Sequence, residues 1–249
     1  MKRVPAPGAR ISITVDGQAI DTAFLGFTMS PHEECAVEEA VQLVEKHGGE
    51  ATVLTLGPAE ADEQLRYAAS LGVAKAVLLP ISGADWDPQR TAAAIAASIV
   101  DIEAVDGAFD LILFGNESAD SGGFQVGVRV AHALGRPIVN GIKGIEVQGD
   151  TLRARREADV GVEVYDVPMP AVLGVKEGIN LPRYPTLKGR LASKKVDVAQ
   201  VAPVGEPGGQ QMITLLPAAE QVSATVMLGT GPDAAVAVVD MLEEIGVLK

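Results

Sequence analysis

Cysteine is nearly absent: Cys35 is the one thiol in 249 residues. That excludes an internal disulfide and any Cys-x-x-Cys centre, and it fits a reducing, cytoplasmic setting. Aromatic residues make up 4% of the chain, which leaves few platforms for stacking single-stranded bases. Positive charge is in deficit. A net charge of −13 opposes general nucleic-acid binding. Long apolar runs are missing too: stretches such as AVAVV fall far short of the ~20 residues a membrane span requires, and the N-terminus has no signal-peptide apolar core. Catalytic groups are sparse. The three histidines, His32, His47 and His132, are scattered, and the latter two sit near expected helix ends, where positive charge is favourable. Cys35 falls on the apolar face of an expected helix and reads as a small buried thiol. Neither a P-loop, a G-x-G-x-x-G turn nor a G-x-S-x-G elbow occurs, which weighs against an ATPase, a dinucleotide dehydrogenase and a serine hydrolase. Glu33, Glu34, Glu38 and Glu39 cluster at a helix start, where dipole complementation and solvation account for them. A binding or carrier module, not an enzyme, is what this shortage describes.

What the chain has in plenty is small and β-branched apolar sequence, 47% hydrophobic in all. Its order is regular. CAVEEAVQLVEKHGG carries Ala36, Val37, Ala40, Val41 and Val44 at helical spacing and closes at Gly48. EATVLTLG is a strand. PAEADEQLRYAASLG is a helix from Pro58 to Gly72, AKAVLLPI a strand and PQRTAAAIAASIVDIEA an Ala-rich helix. FDLILFG and FQVGVRVAHALG repeat the pair. PIVNGIKGIEVQ and TLRARREADVGVEVYDV read as strand or hairpin, and PAVLGV as a further strand. Such alternation predicts an α/β fold: a mainly parallel sheet with helices on both faces, Rossmann-like. APVGEPGGQQ, from Ala202 to Gln211, reads as a linker before a terminal amphipathic helix.

In open parallel sheets, ligands sit beyond the carboxyl ends of the strands. GNESADSGGFQVG occupies that place between a strand and a helix start. Gly122 and Gly123 allow close backbone approach, and the helix N-terminus offers free N–H groups to an anion. Asn116, Ser118, Ser121 and Gln125 add neutral hydrogen-bonding groups. The loop alone leaves a nucleotide site and a plain turn both open.

Several segments resemble one family in the same order: PHEECAVEEAVQLVEK, TLGPAEADEQLRYAASLGVAKAVLL, FGNESADSGGFQVG, LRARREADVGVEVYDVPMPAVLGV and KEGINLPRYPTLKGRLASKK. The family is that of the β subunits of electron transfer flavoproteins. The resemblance covers residues 1 to 197, and MLEEIGVLK is similar to the family's last helix. It implies an αβ heterodimer in which the α subunit holds most of the redox FAD. The β subunit buries one AMP, and electrons pass from an acyl-CoA or other flavin dehydrogenase to a quinone oxidoreductase, with fatty acid oxidation the usual setting. The implied AMP contacts are Ser30, Pro31, His32, Glu33 and Leu56, then Glu117, Ser118, Ala119, Asp120, Ser121, Gly122, Gly123, Phe124, Gln125, Val126, Gly127 and Val128. Relatives with a second FAD in this place carry an Asp-Thr-Ala core that is lost here, so AMP is favoured and the flavin stays open. The implied partner-binding residues are Arg183, Tyr184, Leu187, Lys188 and Arg190, in a recognition segment spanning residues 180–195, with Leu187 as the hydrophobic anchor. Residues 1–197 are then the nucleotide-binding domain and residues 198–249 an arm that wraps the α subunit. Family chains carry a central strand ahead of Lys-Arg-Val-Pro. This sequence begins MKRVPAPG, as a start codon assigned too late would give. Two other readings compete: a free-standing nucleotide-binding regulator of the universal-stress-protein type, and an interaction protein that has lost its nucleotide.

Overall fold

Strand and helix alternate along the chain as its apolar runs require. β1 (Val4–Pro5) and β2 (Phe27–Thr28) form a short antiparallel pair, and α1 (Pro31–His47) follows. β3 (Thr52–Gly57), α2 (Asp62–Leu71), β4 (Lys75–Pro80), α3 (Pro88–Asp106), β5 (Leu111–Gly115) and α4 (Gln125–Ala133) make the repeating part. β6 (Ile138–Gln148), β7 (Thr151–Ala158) and β8 (Gly161–Pro168) are an antiparallel meander, and β9 (Ala171–Val175) returns parallel to both β5 and β6. α5 (Leu187–Ser193), β10 (Val198–Gln200) and α6 (Ala234–Glu244) complete the chain. The computed structural model describes residues 1–217 and 225–248. They fall into two compact units, Met1–Leu215 and Leu216–Lys249. β10, on the arm side of the expected boundary, pairs parallel with β4 in the first unit. In the second unit α6 keeps Val236, Val238 and Val239 exposed.

The α/β class is as expected, but the sheet is not continuous. One sheet runs β10-β4-β3 and another β5-β9-β6-β7-β8, so β3 and β5 each present an unpaired edge. They nevertheless belong to one layer. Val53 and Leu78 pack with Val37, Val41 and Leu65 on one face. On the other, Leu54 and Leu56 of β3 and Ile112 and Phe114 of β5 pack against the same cluster of Ile95, Ile99 and Val130. The first residue of the chain lies along the β3 edge. The Met1 amino group donates to the Leu54 carbonyl at 2.8 Å, and Thr55 Oγ1 donates to the Met1 carbonyl at 2.7 Å. β5 is only half-buried along its whole length, whereas β9 beside it is fully buried.

Candidate functional site

The loops at the carboxyl ends of β3, β4 and β5 enclose a cavity of about 140 Å³. Leu56, Trp86, Ile95 and Phe114 supply an apolar wall, and Ser118 and Ser121 a polar one. The N-terminus of α4 enters beside them. At that helix start Phe124 stands in the N-cap position and no side chain caps it. The two long neighbouring helices differ: Ser30 and Glu33 form a capping box on α1, and Asp87 accepts from the Gln89 and Arg90 amides at the start of α3. Of the three, α4 alone points uncapped amides at the cavity, where its dipole favours negative charge. The preceding loop is tied internally. Ser121 N–H donates to Asp120 Oδ1 at 2.7 Å, Gly122 N–H donates to the Ser118 carbonyl at 2.9 Å, and Gly122 takes the left-handed conformation that glycine tolerates, φ 59°. Lys2 bridges Asp120 at 2.5 Å and Asp85 at 3.1 Å. Burial opposes charge on Lys2, but the two carboxylates outweigh it and raise its pKa. Burial likewise opposes charge on Asp120, and Lys2 more than compensates, holding that carboxyl below its usual value.

α1 brings acid to this site by close approach. A Cβ on Gly115 would lie 2.5 Å from Glu33 Cγ, so only glycine lets the end of β5 meet the first turn of the helix. Glu33 is buried there, and burial pushes its carboxyl pKa up, with the Ser30 and Lys2 amides as partial relief. Glu38 and Glu39 are buried too. This corrects the expectation that the acidic cluster is solvated, because the chain following β9 covers it. Asn180 Nδ2 donates to Glu39 at 2.9 Å, and Arg183 donates to Glu38 through Nε at 2.9 Å and Nη2 at 3.0 Å. Among the described residues no group of acids, histidines and cysteine could hold a metal ion.

The residues expected at a nucleotide sort unevenly. Glu33, Leu56, Glu117, Ser118, Ser121, Gly123, Phe124, Val126 and Gly127 line the cavity. Ser30 caps α1, and Pro31 opens onto a separate cleft beside Cys35, Lys143 and Lys176. Ala119, Asp120, Gly122, Gln125 and Val128 stand outside the lining; Gln125 accepts from Arg129, and Val128 is exposed. His32 lies between the two openings. Lys2, Asp85, Trp86, Thr91 and Asn140 line the cavity without having been singled out. For Asp85 and Trp86 a signal existed: they follow the carboxyl end of β4, the same kind of position as the loop after β5.

A second feature is the segment between β9 and β10. Gly189 of α5 packs on the Ser70 carbonyl at the end of α2, and Arg66 reaches from α2 to the Ser193 and Val196 carbonyls at 3.1 Å each. So supported, the segment presents Tyr184 (89% exposed), Leu187 (75%) and Leu191 beside exposed Lys188 and Arg190. Arg183 is directed inward instead, onto Glu38 and Glu45, and both carboxylates raise its pKa.

The family model described as the electron transfer flavoprotein domain matches residues 20–204. The electron transfer flavoprotein subunit beta of Bacillus subtilis is 36% identical over 167 residues, covering 67% of this chain and 64% of that protein. The subunit beta of Mycobacterium bovis is 35% identical over 204 residues, 80% of this chain and 75% of its own length. That of Syntrophomonas wolfei is 38% identical over 190 residues, covering 75% and 72%. Matched over most of its length and built as an α/β layer, the chain belongs to the electron transfer flavoprotein family. Membership displaces the stress-protein reading. No helix among the described residues is long and apolar enough to cross a membrane.

The raised pKa of Glu33 has a measurable consequence. Above pH 4.5 the unfolded chain has given up a proton that folded Glu33 still holds, so stability falls as pH rises through the window up to the folded value. Glu33→Gln keeps an acceptor for Ser30 and removes that fall. Urea unfolding between pH 4 and 8 should show the variant gaining on the parent chain as pH rises, and a constant difference would count against a buried, reluctant carboxylate.

Proposed function

We propose that the chain is the β subunit of an αβ electron transfer flavoprotein. It binds one AMP in the cavity between β3 and β5 and presents a docking segment to a flavin dehydrogenase. The observation that carries this reading is the uncapped start of α4 facing a cavity with one apolar and one polar wall. A phosphate on the amides from Gly123 onward, with the base against Leu56, Trp86 and Phe114, uses both ends of the cavity. The cavity, about 140 Å³ in open volume, offers an apolar wall for a base and backbone amides for a phosphate. The redox flavin, held mostly by the α subunit, supplies the electron chemistry, while this chain binds, orients and docks. Electrons enter from an acyl-CoA or other flavin dehydrogenase and leave to a quinone oxidoreductase, in a cytoplasmic setting. The arm, with its apolar α6 exposed, is the part that wraps the α subunit.

Acid extraction of the purified chain, followed by chromatography, should release one AMP per chain; FAD or no nucleotide would overturn the assignment. Gly123→Val adds discrimination. The nearest atom to a Cβ at Gly123 is Ser121 Oγ at 3.6 Å, so the fold has room for the side chain. The variant should melt with the ligand-free parent and bind AMP at least about tenfold more weakly by calorimetry, a loss of about 1.4 kcal/mol. Undiminished binding would exclude the loop as the phosphate site.

Leu187 has the anatomy of an anchor: a large apolar side chain, mostly exposed, ringed by cationic groups that steer an acidic partner. Leu187→Ala should weaken the dehydrogenase complex by about 2 kcal/mol, roughly thirtyfold. Stopped-flow flavin reduction by the dehydrogenase should slow accordingly, while flavin content and reduction by dithionite stay normal. Loss of bound flavin would instead place Leu187 at the subunit interface.

A further inference from the structure

His32 serves two loops at once. It is buried in the first turn of α1. Its Nδ1 accepts the Glu177 N–H at 2.8 Å, and its Nε2 lies 3.2 Å from Glu117 Oε1. A ring nitrogen that accepts from a backbone amide carries no hydrogen, so the ring N–H is on Nε2, donating to Glu117. The tautomer is therefore fixed by what stands at each end: a donor at one nitrogen and a carboxylate at the other.

The two ends belong to different features. Glu117 lies in the loop after β5 and lines the cavity. Its carbonyl also accepts from Ser30 Oγ at 3.4 Å, which ties the loop to the cap of α1. Glu177 opens the segment after β9. From there Asn180 Nδ2 donates to the Cys35 carbonyl at 3.0 Å and Arg183 clasps Glu38, and next come the exposed Tyr184 and Leu187. We infer that Glu117 locks the tautomer of His32 and so sets the Glu177 amide, making the cavity loop and the exposed docking segment one mechanical unit. His32 is a positioning residue in this unit. Once the Glu117 acceptor is withdrawn, the Nδ1–H tautomer becomes accessible. In that form two donors face each other at Glu177 and the bond is lost. The inference rests on the loop geometry and not on which ligand fills the cavity.

The test uses the full chain, with nitrogen NMR of the His32 ring and hydrogen exchange of the Glu177 amide. The parent should show a protonated Nε2 and a hydrogen-bonded, unprotonated Nδ1. Glu117→Ala should mix the tautomers and speed Glu177 exchange about tenfold, with Leu173 in β9 unchanged. Glu117→Gln, which keeps a carbonyl acceptor for Nε2–H, should restore both signals. His32→Phe should give fast Glu177 exchange whether residue 117 is Glu or Ala, since the strut is already gone. The proposal is overturned by a parent ring protonated on Nδ1 or by Glu177 exchange indifferent to Glu117→Ala. It is overturned equally by a rise that extends to Leu173, which would mean general loosening, or by a failure of Glu117→Gln to rescue.

Discussion

A carboxylate taken out of water must find a donor, and α1 buries three of them: Glu33, Glu38 and Glu39. Each finds a donor outside the helix body, and Glu38 also takes Gln42 within it at 2.6 Å. Glu33 takes the Ser30 amide and hydroxyl and the Lys2 amide, Glu39 takes Asn180, and Glu38 takes Arg183. The balance differs between them. Burial dominates at Glu39 and raises its pKa, whereas at Glu38 the guanidinium outweighs burial and lowers it. Breaking such a pair from one side leaves an uncompensated buried charge, which costs more than the intact pair contributes. The chain after β9 is thus tied down along α1, from His32 in its first turn to Glu45 in its last third. The placement of the exposed segment around Leu187 follows from that constraint.

The same constraint links two loops. The cavity loop and the segment bearing Leu187 leave the carboxyl ends of β5 and β9, which are neighbouring parallel strands. α1 packs on both, so a helix whose apolar face covers the sheet also spaces the two loops. The close approach of β5 and α1 at Gly115 and the contact of α5 with α2 at Gly189 serve the same end. In each, a missing Cβ lets one element rest on another and fixes the height at which a loop is presented.

Most of the fold was legible in the sequence because the strands are continuous apolar runs and the helices end at glycines. Gly48 and Gly72 close α1 and α2 as expected, both at positive φ. The start of α1 lies four residues ahead of the apolar periodicity, at Pro31, and its marker is the Ser30-x-x-Glu33 capping box. β10 is three residues long, too short to show alternation. The cavity was half legible. The loop after β5 is one contiguous motif, but Lys2, Asp85, Trp86 and Asn140 come from three separate stretches that only the folded layer assembles. The buried glutamates were misread for a similar reason. Acid on a helix ordinarily faces water, and the residue that neutralises Glu38 lies 145 positions further along the chain.

Trp86 is also an optical element. Its ring lies 3.5 Å beneath the Arg90 guanidinium, Arg90 Nε donates to the Gly205 carbonyl at 2.9 Å, and the indole forms part of the cavity wall. It is also the single tryptophan of the chain. All tryptophan emission of this subunit therefore originates at the cavity. Its wavelength registers how wet the wall is, its intensity registers a ring stacked upon it, and its anisotropy registers how firmly the stretch around Gly205 holds Arg90 in place.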